Sequence, residues 1–158
     1  MSYLYASDSS IVTVDTIDEK AINYFNKLLD RFIKKKRKSV TSSTYTHNGY
    51  QTANIVNHIS DYYKQSLLKQ YFNSYELLHV HMIHYYTGGS QKVHHHQDHD
   101  KFSFILYLND ADGDTVFYFD KEVSVSPERG KIVYFSGNLL HEGKESFQEK
   151  RVLVGGLR

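Results

Sequence analysis

Residues 94–100 read His-His-His-Gln-Asp-His-Asp and concentrate side chains that can bind a metal ion. Within this segment His96 and Asp98 are two residues apart, and alternate residues of an extended strand point to the same face. Their imidazole and carboxylate can therefore converge on one ion, with a third ligand supplied from elsewhere in the fold. His141, at the edge of another short β-rich segment, is the natural candidate. The spacing predicts a metal site made of these three residues.

Two histidines and one carboxylate on one face leave several positions of a bound metal open. This ligand set is typical of non-haem Fe(II) oxygenases, in which the open positions are needed for a co-substrate and dioxygen. A His-x-Asp pair by itself is a weak signal, because any histidine-rich loop can contain one. Two other interpretations stay open: a jelly-roll protein that binds another metal such as zinc, and a peptide-binding module without oxygenase activity.

Arg151 stands at the head of the apolar run 152–154. A cation that faces the interior of a β-barrel is costly unless it is paired. A dicarboxylate would supply the pair, because a guanidinium binds carboxylate through two parallel hydrogen bonds. The alternative is an arginine on the surface at the start of a strand, and the residue types leave both interpretations open.

Short β-rich runs separated by turn signals must position these side chains. From residue 76 onward the runs are LLHVHMIHYY, FSFILYL, TVFYF, KIVYFS and RVLVGGL, with Gly88-Gly89 among the turns between them. Several short strands without intervening helices are typical of an antiparallel sandwich or barrel. We therefore predict a mainly β protein, with a double-sheet jelly roll over about residues 76–158.

The first part of the chain is predicted to be helical. Residues 16–19 have a capping-box pattern, and apolar residues then recur at three- and four-residue spacing to about Lys36. Residues 39–52 are polar and predict a turn or mobile loop, and a second helix is expected over about 57–72. We predict one domain over 1–158, in which helices of about 16–72 pack on one sheet of the jelly roll.

Composition restricts the environment and the partners. The chain has 158 residues, 23% of them charged, no cysteine and a net charge of +1. No apolar run approaches the roughly 20 residues that span a bilayer, and the N-terminus lacks the pattern of a secretory signal. The basic run at 31–38 is expected to be the solvated end of a helix rather than a nucleic-acid patch. We predict a cytoplasmic protein without nucleic-acid or membrane partners.

In the order of its motifs, the chain from about Met82 to Arg158 resembles the prolyl 4-hydroxylase-like branch of the 2-oxoglutarate/Fe(II) dioxygenase superfamily. The matching segments are 86–89, 96–98, 104–109, 112–117, 130–135 and 141–143, followed by Arg151. The resemblance implies a double-stranded β-helix, that is, a jelly roll. It also implies Fe(II), 2-oxoglutarate and O2 as cofactor and co-substrates, with ascorbate as a candidate stimulant.

The resemblance assigns roles by position. The three predicted metal ligands match the family's iron ligands, and Arg151 matches the residue that holds the distal carboxylate of 2-oxoglutarate. Tyr107 matches a tyrosine that hydrogen-bonds the same carboxylate, and Tyr86 matches one that lines the co-substrate pocket. The implied reaction is hydroxylation with succinate and CO2 as co-products. Peptidyl proline is the family's best-known target, while a small-molecule substrate stays open.

The sequence departs from the family pattern in several places. Asp114 follows Gly113 where the family usually has two glycines, and Leu153 replaces a serine or threonine of many relatives. His94 shares the alternation of His96 and could compete for metal, but we expect it at the pocket mouth or in solvent. His95 and His99 are unusual beside the motif, and the sequence leaves their role open. The histidines of the preceding strand, His79, His81 and His84, are expected to be structural or exposed.

Overall fold

The computed structural model describes residues 2–6, 11–35, 46–96 and 100–158. The N-terminal elements are β1 (Ser2–Ala6), β2 (Ile11–Thr16), helix α1 (Glu19–Lys35), β3 (Thr46–Gln51) and helix α2 (Asp61–Leu68). Short 3-10 turns flank α2 at Val56–His58 and Gln70–Phe72. The strands that follow are β4 (Leu77–His94), β5 (Phe102–Tyr107), β6 (Thr115–Tyr118), β7 (Glu122–Val125), β8 (Lys131–Ser136), β9 (Leu140–Ser146) and β10 (Lys150–Leu157).

The strands form one curled antiparallel sheet in the order β1-β2-β8-β5-β10-β4-β9-β6-β7, and β3 pairs with β4. The long strand β4 joins the two halves of the roll. Its first part pairs with β10, and its last part pairs with β9. This arrangement confirms the predicted jelly roll with N-terminal helices.

Alternation along the strands creates two apolar cores. On β10, Val152 belongs to the core inside the roll, whereas Leu153 belongs to the core between the sheet and the helices. Helix α1 contributes Phe25 and Leu29 to the second core, as its apolar spacing predicts. The carboxylate of Asp18 caps this helix by accepting the backbone N–H of Ala21 at 2.9 Å. The side chains of the inner face are therefore the ones available to an internal site.

The structure differs from the sequence prediction in the N-terminal third. Strands β1 and β2 precede the first helix and were not predicted, although Ile11–Thr16 is rich in β-branched residues. Strand β3 lies in the segment predicted as a loop, whose residues 39–45 lie outside the described ranges. The second helix is only Asp61–Leu68, because Lys69 has a positive φ of 54° that ends it.

The expected turn at Gly88-Gly89 is part of the continuous strand β4. Gly88 has φ +84°, a conformation that side-chain-bearing residues rarely adopt, and the pairing with β9 shifts register just after it. This bend directs the last part of β4 towards the other half of the roll. Among the described residues, no helix has the length and apolar character needed to cross a membrane.

Candidate metal centre

Three imidazole rings meet where β4 ends and β9 begins. His94 is the last residue of β4 and pairs across the sheet with His141. His96 follows two residues later, and its backbone N–H donates to the carbonyl of Gly137 at 2.7 Å. The ligand atoms of the three histidines lie within 4.8 Å of one another. Since a histidine nitrogen lies about 2.0–2.1 Å from a bound zinc ion, small ring rotations would bring all three nitrogens onto one ion.

Backbone carbonyls orient two of these rings. Nδ1 of His141 donates to the carbonyl of Leu139 at 2.9 Å, and Nδ1 of His94 donates to the carbonyl of Lys92 at 2.7 Å. A carbonyl oxygen only accepts, so the ring hydrogen is on Nδ1 and the lone pair is on Nε2. Metal-binding histidines are commonly fixed in this way through their second ring nitrogen.

Burial keeps these rings neutral. His141 is 2% exposed, and burial lowers its pKa well below the usual value, with a smaller contribution from His94. Burial also lowers the pKa of His94. The ring of Phe135 packs 4.6 Å from that of His141 and helps to exclude water. Because neutral imidazole is the form that binds metals, both rings are ready to do so at neutral pH, and imidazole suits iron as well as zinc.

The structure brings together the two predicted histidine ligands and adds a third ring. His94, which was expected at the pocket mouth or in solvent, is buried and lines the cavity beside the cluster. The two-residue spacing between His94 and His96 could have predicted this position, because it turns both side chains to one face. The intervening His95 is exposed. Asp98 and His99 lie outside the described residues.

A buried cation lies deeper in the roll. Lys150 is 2% exposed, its ammonium donates to the carbonyl of Gly113 at 2.8 Å, and Nζ lies 4.7 Å from the ring centre of Tyr85. A Cβ on Gly143 would lie 3.7 Å from the same Nζ. Gly143 is two residues from His141 along β9, a spacing of about 7 Å on the same face. The ammonium is therefore about two strand residues, or roughly 7 Å, from the imidazole cluster.

Lys150 has no ion-pair partner among the described residues, and two buried hydroxyl groups lie on the strands that pair with β10 and β9. Tyr107 is fully buried, and its hydroxyl lies 2.6 Å from Oγ1 of Thr115. Burial raises the pKa of the Tyr107 hydroxyl above its usual value, so it stays a neutral hydrogen-bonding group. Burial also lowers the pKa of Lys150 to about 8, against the opposing effect of Asp112 and Asp114. A bound anion would favour the charged form of Lys150 and so oppose the effect of burial.

Arg151, predicted to face the interior, lies on the opposite face of β10. Its guanidinium is 2.6 Å from the carboxylate of Asp30 and 3.4 Å from the carbonyl of Asn26, both in helix α1. The reason is strand alternation, because adjacent residues of a strand point to opposite faces. The side chain of Arg151 is thus not where the sequence places it, and Lys150 provides the interior cation.

The same one-residue difference separates two tyrosines of β4. Tyr86, predicted to line the pocket, is 45% exposed, and its ring lies beside that of His84. Tyr85 is buried in the inner core and pairs across the sheet with Lys150. The structure therefore brings Tyr107 and Tyr85 to the interior and leaves Tyr86 outside it.

A cavity of about 370 Å³ opens beside the imidazole cluster. All three imidazoles line it, together with apolar side chains of the inner face such as Ile105 and Val154. His79 and His81 line it as well. A cavity of this size falls in the range of small-ligand sites, so a substrate group could lie next to a metal held by the histidines.

One wall of the cavity is fixed by the buried carboxylate of Asp100. Its oxygens accept hydrogen bonds from Nε2 of His79 at 2.9 Å and from the hydroxyl of Ser103 at 2.7 Å. Burial alone would raise the pKa of Asp100, but these bonds lower it below the usual value. Asp100 is therefore an anchored ionised group that orients His79 at the cavity wall.

Gly156→Ala should destabilise the fold, because a Cβ at this position would overlap the carboxylate of Asp100. The carboxylate cannot move without losing its hydrogen bonds, so we expect a loss of roughly 1–3 kcal/mol, as for other overpacked cores. Urea unfolding measures it. Gly143→Ala is the matched control, since its Cβ would meet Gln91 at an ordinary 3.4 Å. Equal stability of both variants would contradict the close packing around Asp100.

Comparison with known proteins adds a sequence match to this geometry. Residues 80–156 match the model of the 2OG-Fe(II) oxygenase superfamily. That range contains both predicted histidine ligands, Asp98 and Lys150. No curated protein sequence matches the chain.

Several solved structures share the fold. A prolyl-4-hydroxylase from Pseudomonas putida has a TM-score of 0.69 and 18% identity, over 93% of this chain and 91% of that one. A Trichoplax adhaerens prolyl hydroxylase, in complex with a hypoxia-inducible-factor peptide, has a TM-score of 0.69 and 11% identity, over 96% and 84%. A non-haem α-ketoglutarate-dependent epimerase from nogalamycin biosynthesis has a TM-score of 0.72 and 11% identity, over 96% and 78%.

Proposed function

We propose that this chain hydroxylates a peptide substrate, with prolyl residues as the first candidates, because residues 80–156 match the model of the 2OG-Fe(II) oxygenase superfamily. The observation that carries the proposal is the pairing of two features on the inner face of the roll. A cluster of imidazoles lies at the end of β4, and a buried ammonium lies about two strand residues away on the inner face. A metal-bound dicarboxylate would satisfy both.

In this proposal, His96, Asp98 and His141 hold the iron. Iron with 2-oxoglutarate supplies the oxidising chemistry, in which the co-substrate is converted to succinate and CO2. The protein fixes the ligand geometry and keeps water away, through apolar neighbours such as Phe135 and Phe117.

Lys150 takes the role that the family resemblance gives to Arg151. Its ammonium would bind the far carboxylate of 2-oxoglutarate, and the hydroxyls of Tyr107 and Thr115 would supply further hydrogen bonds. Arg151 is bound to Asp30 on the outer face, so we give it a structural role. Tyr85 replaces Tyr86 as the tyrosine that lines this part of the interior.

The pH dependence of co-substrate binding should report on Lys150. Its pKa in the free protein is about 8, and a bound carboxylate favours the protonated form. Affinity for 2-oxoglutarate should therefore be constant below about pH 8 and fall by up to roughly tenfold per pH unit above it. Calorimetric titrations on both sides of this pH measure the effect. In Lys150→Arg, whose guanidinium stays charged, the fall should be absent; an identical fall would exclude Lys150 as its source.

Two kinds of substrate are compatible with the similar structures. The prolyl hydroxylases among them, one of which is bound to a peptide, favour a peptidyl substrate. The epimerase shows that the same fold also serves another reaction. The cavity beside the imidazoles is large enough for one side chain of a peptide.

A panel of proline-containing peptides tests the substrate proposal. We expect some peptides to gain one oxygen atom, detected by mass spectrometry, when incubated with the protein, Fe(II), 2-oxoglutarate and ascorbate in air. Peptides in which alanine replaces each proline are the matched controls. Gain of oxygen by both sets would contradict proline as the target. Co-substrate turnover that no peptide stimulates would favour a small-molecule substrate.

A further inference from the structure

We propose that His94 is a further ligand of the metal centre, beside His96 and His141. The inference rests on the proposed function. A centre with two histidines and one carboxylate does not need this residue, and its position makes it part of the same cluster.

The position of His94 is set by strand pairing. His94 and His141 are direct partners across β4 and β9, and their ring centres are 4.2 Å apart. The ring centres of His96 and His141, the two predicted ligands, are 5.3 Å apart. His94 is thus closer to the ligand on β9 than His96 is. An ion bound between His96 and His141 would therefore have the His94 ring beside it.

The chemistry of His94 is that of a ligand. Its Nδ1 hydrogen is donated to the carbonyl of Lys92, which leaves the lone pair on Nε2. His141 is held in the same way through Leu139. A histidine that only filled space would not need the same backbone anchor as the ligand beside it. The two rings thus have matching tautomers.

A third histidine would change the ligand set of the centre. His94 would add one nitrogen ligand to the two histidines of the proposed iron site, so its removal should weaken metal binding without removing the site.

Nitrogen counting by pulsed electron paramagnetic resonance tests this assignment. Cu(II) is the probe, added anaerobically below one equivalent so that only the tightest site is filled. We expect three coordinated imidazoles in the wild type, two in His94→Ala, and three in the matched control His95→Ala, whose side chain is exposed. Affinity for Co(II) should fall by at least about tenfold in His94→Ala only, since even residues that merely orient ligands contribute roughly this much.

A count of two in the wild type, unchanged in His94→Ala, would overturn the ligand assignment. If His94→Ala does not fold, His94→Gln replaces it, because its amide can still donate to Lys92. These outcomes differ from failure of the proposed function, in which the wild type would bind the metal but form no succinate from 2-oxoglutarate.

Discussion

His141→Ala should abolish tight Fe(II) binding and succinate formation together. His141 is buried, neutral and fixed by Leu139, so its removal takes a rigid, preformed ligand out of the centre. Removal of residues that only orient a ligand already costs roughly 10- to 100-fold, and we expect a loss of at least about 100-fold in both quantities. Metal titration and a succinate assay measure them.

The control for His141→Ala is His58→Ala, which removes an exposed histidine near helix α1. This variant should bind Fe(II) and form succinate like the wild type. Circular dichroism must show that both variants are folded. A folded His141→Ala that retains wild-type turnover would contradict the assignment of the metal centre to the imidazole cluster.

Lys150→Met should produce the second large effect, a loss of 2-oxoglutarate binding without a loss of stability. Truncating one partner of a buried charge pair costs about 2–5 kcal/mol, which corresponds to roughly 30-fold to several-thousand-fold weaker binding. The free protein should not be destabilised, because an unpaired buried ammonium is itself unfavourable. Calorimetry with 2-oxoglutarate and thermal unfolding of the free protein measure the two effects.

The neighbouring residue provides a matched control. Arg151→Met breaks the ion pair with Asp30, which is partly exposed, so stability should change by about 0–1 kcal/mol. Binding of 2-oxoglutarate should stay close to wild type. If Arg151→Met weakened binding and Lys150→Met did not, Arg151 would be the anchor that the sequence resemblance implies.

The sequence was sufficient for the jelly roll and for the family, because both depend on local patterns in a fixed order. Alternating β-rich runs separated by turn residues predict antiparallel strands wherever they occur. The two predicted histidine ligands meet because His141 lies at the start of β9 and His96 lies two residues past the end of β4, which pairs with β9. The superfamily match over residues 80–156 confirms the resemblance that the motif order indicated.

The face on which a single side chain lies was harder to predict. Lys150 and Arg151 are both cations at the start of one strand, and a shift of one residue exchanges their environments. Tyr85 and Tyr86 present the same ambiguity on β4. That strand also shifts register after Gly88, where the sequence suggested a turn. The register of a strand depends on bulges and on partner strands that are distant in sequence. A short stretch of sequence, from which alternation is judged, does not contain that information.

Burial was the second quantity that local patterns did not provide. A histidine-rich segment suggests exposure, and His94 was expected at the pocket mouth or in solvent. Its burial follows from the cross-strand partner His141, almost 50 residues away in sequence. Likewise, β3 pairs with β4 although its own residues are polar. Tertiary pairing overrides local propensity in both places.

The most direct test is succinate formation from 2-oxoglutarate in air, with the purified protein and added Fe(II). We predict succinate that requires Fe(II), disappears in His141→Ala and Lys150→Met, and is unchanged in His58→Ala. Zinc in place of iron should give none. Failure of the iron-loaded wild type to form more succinate than His141→Ala, with and without the peptide panel, would contradict the oxygenase function and favour a metal-binding protein without this activity.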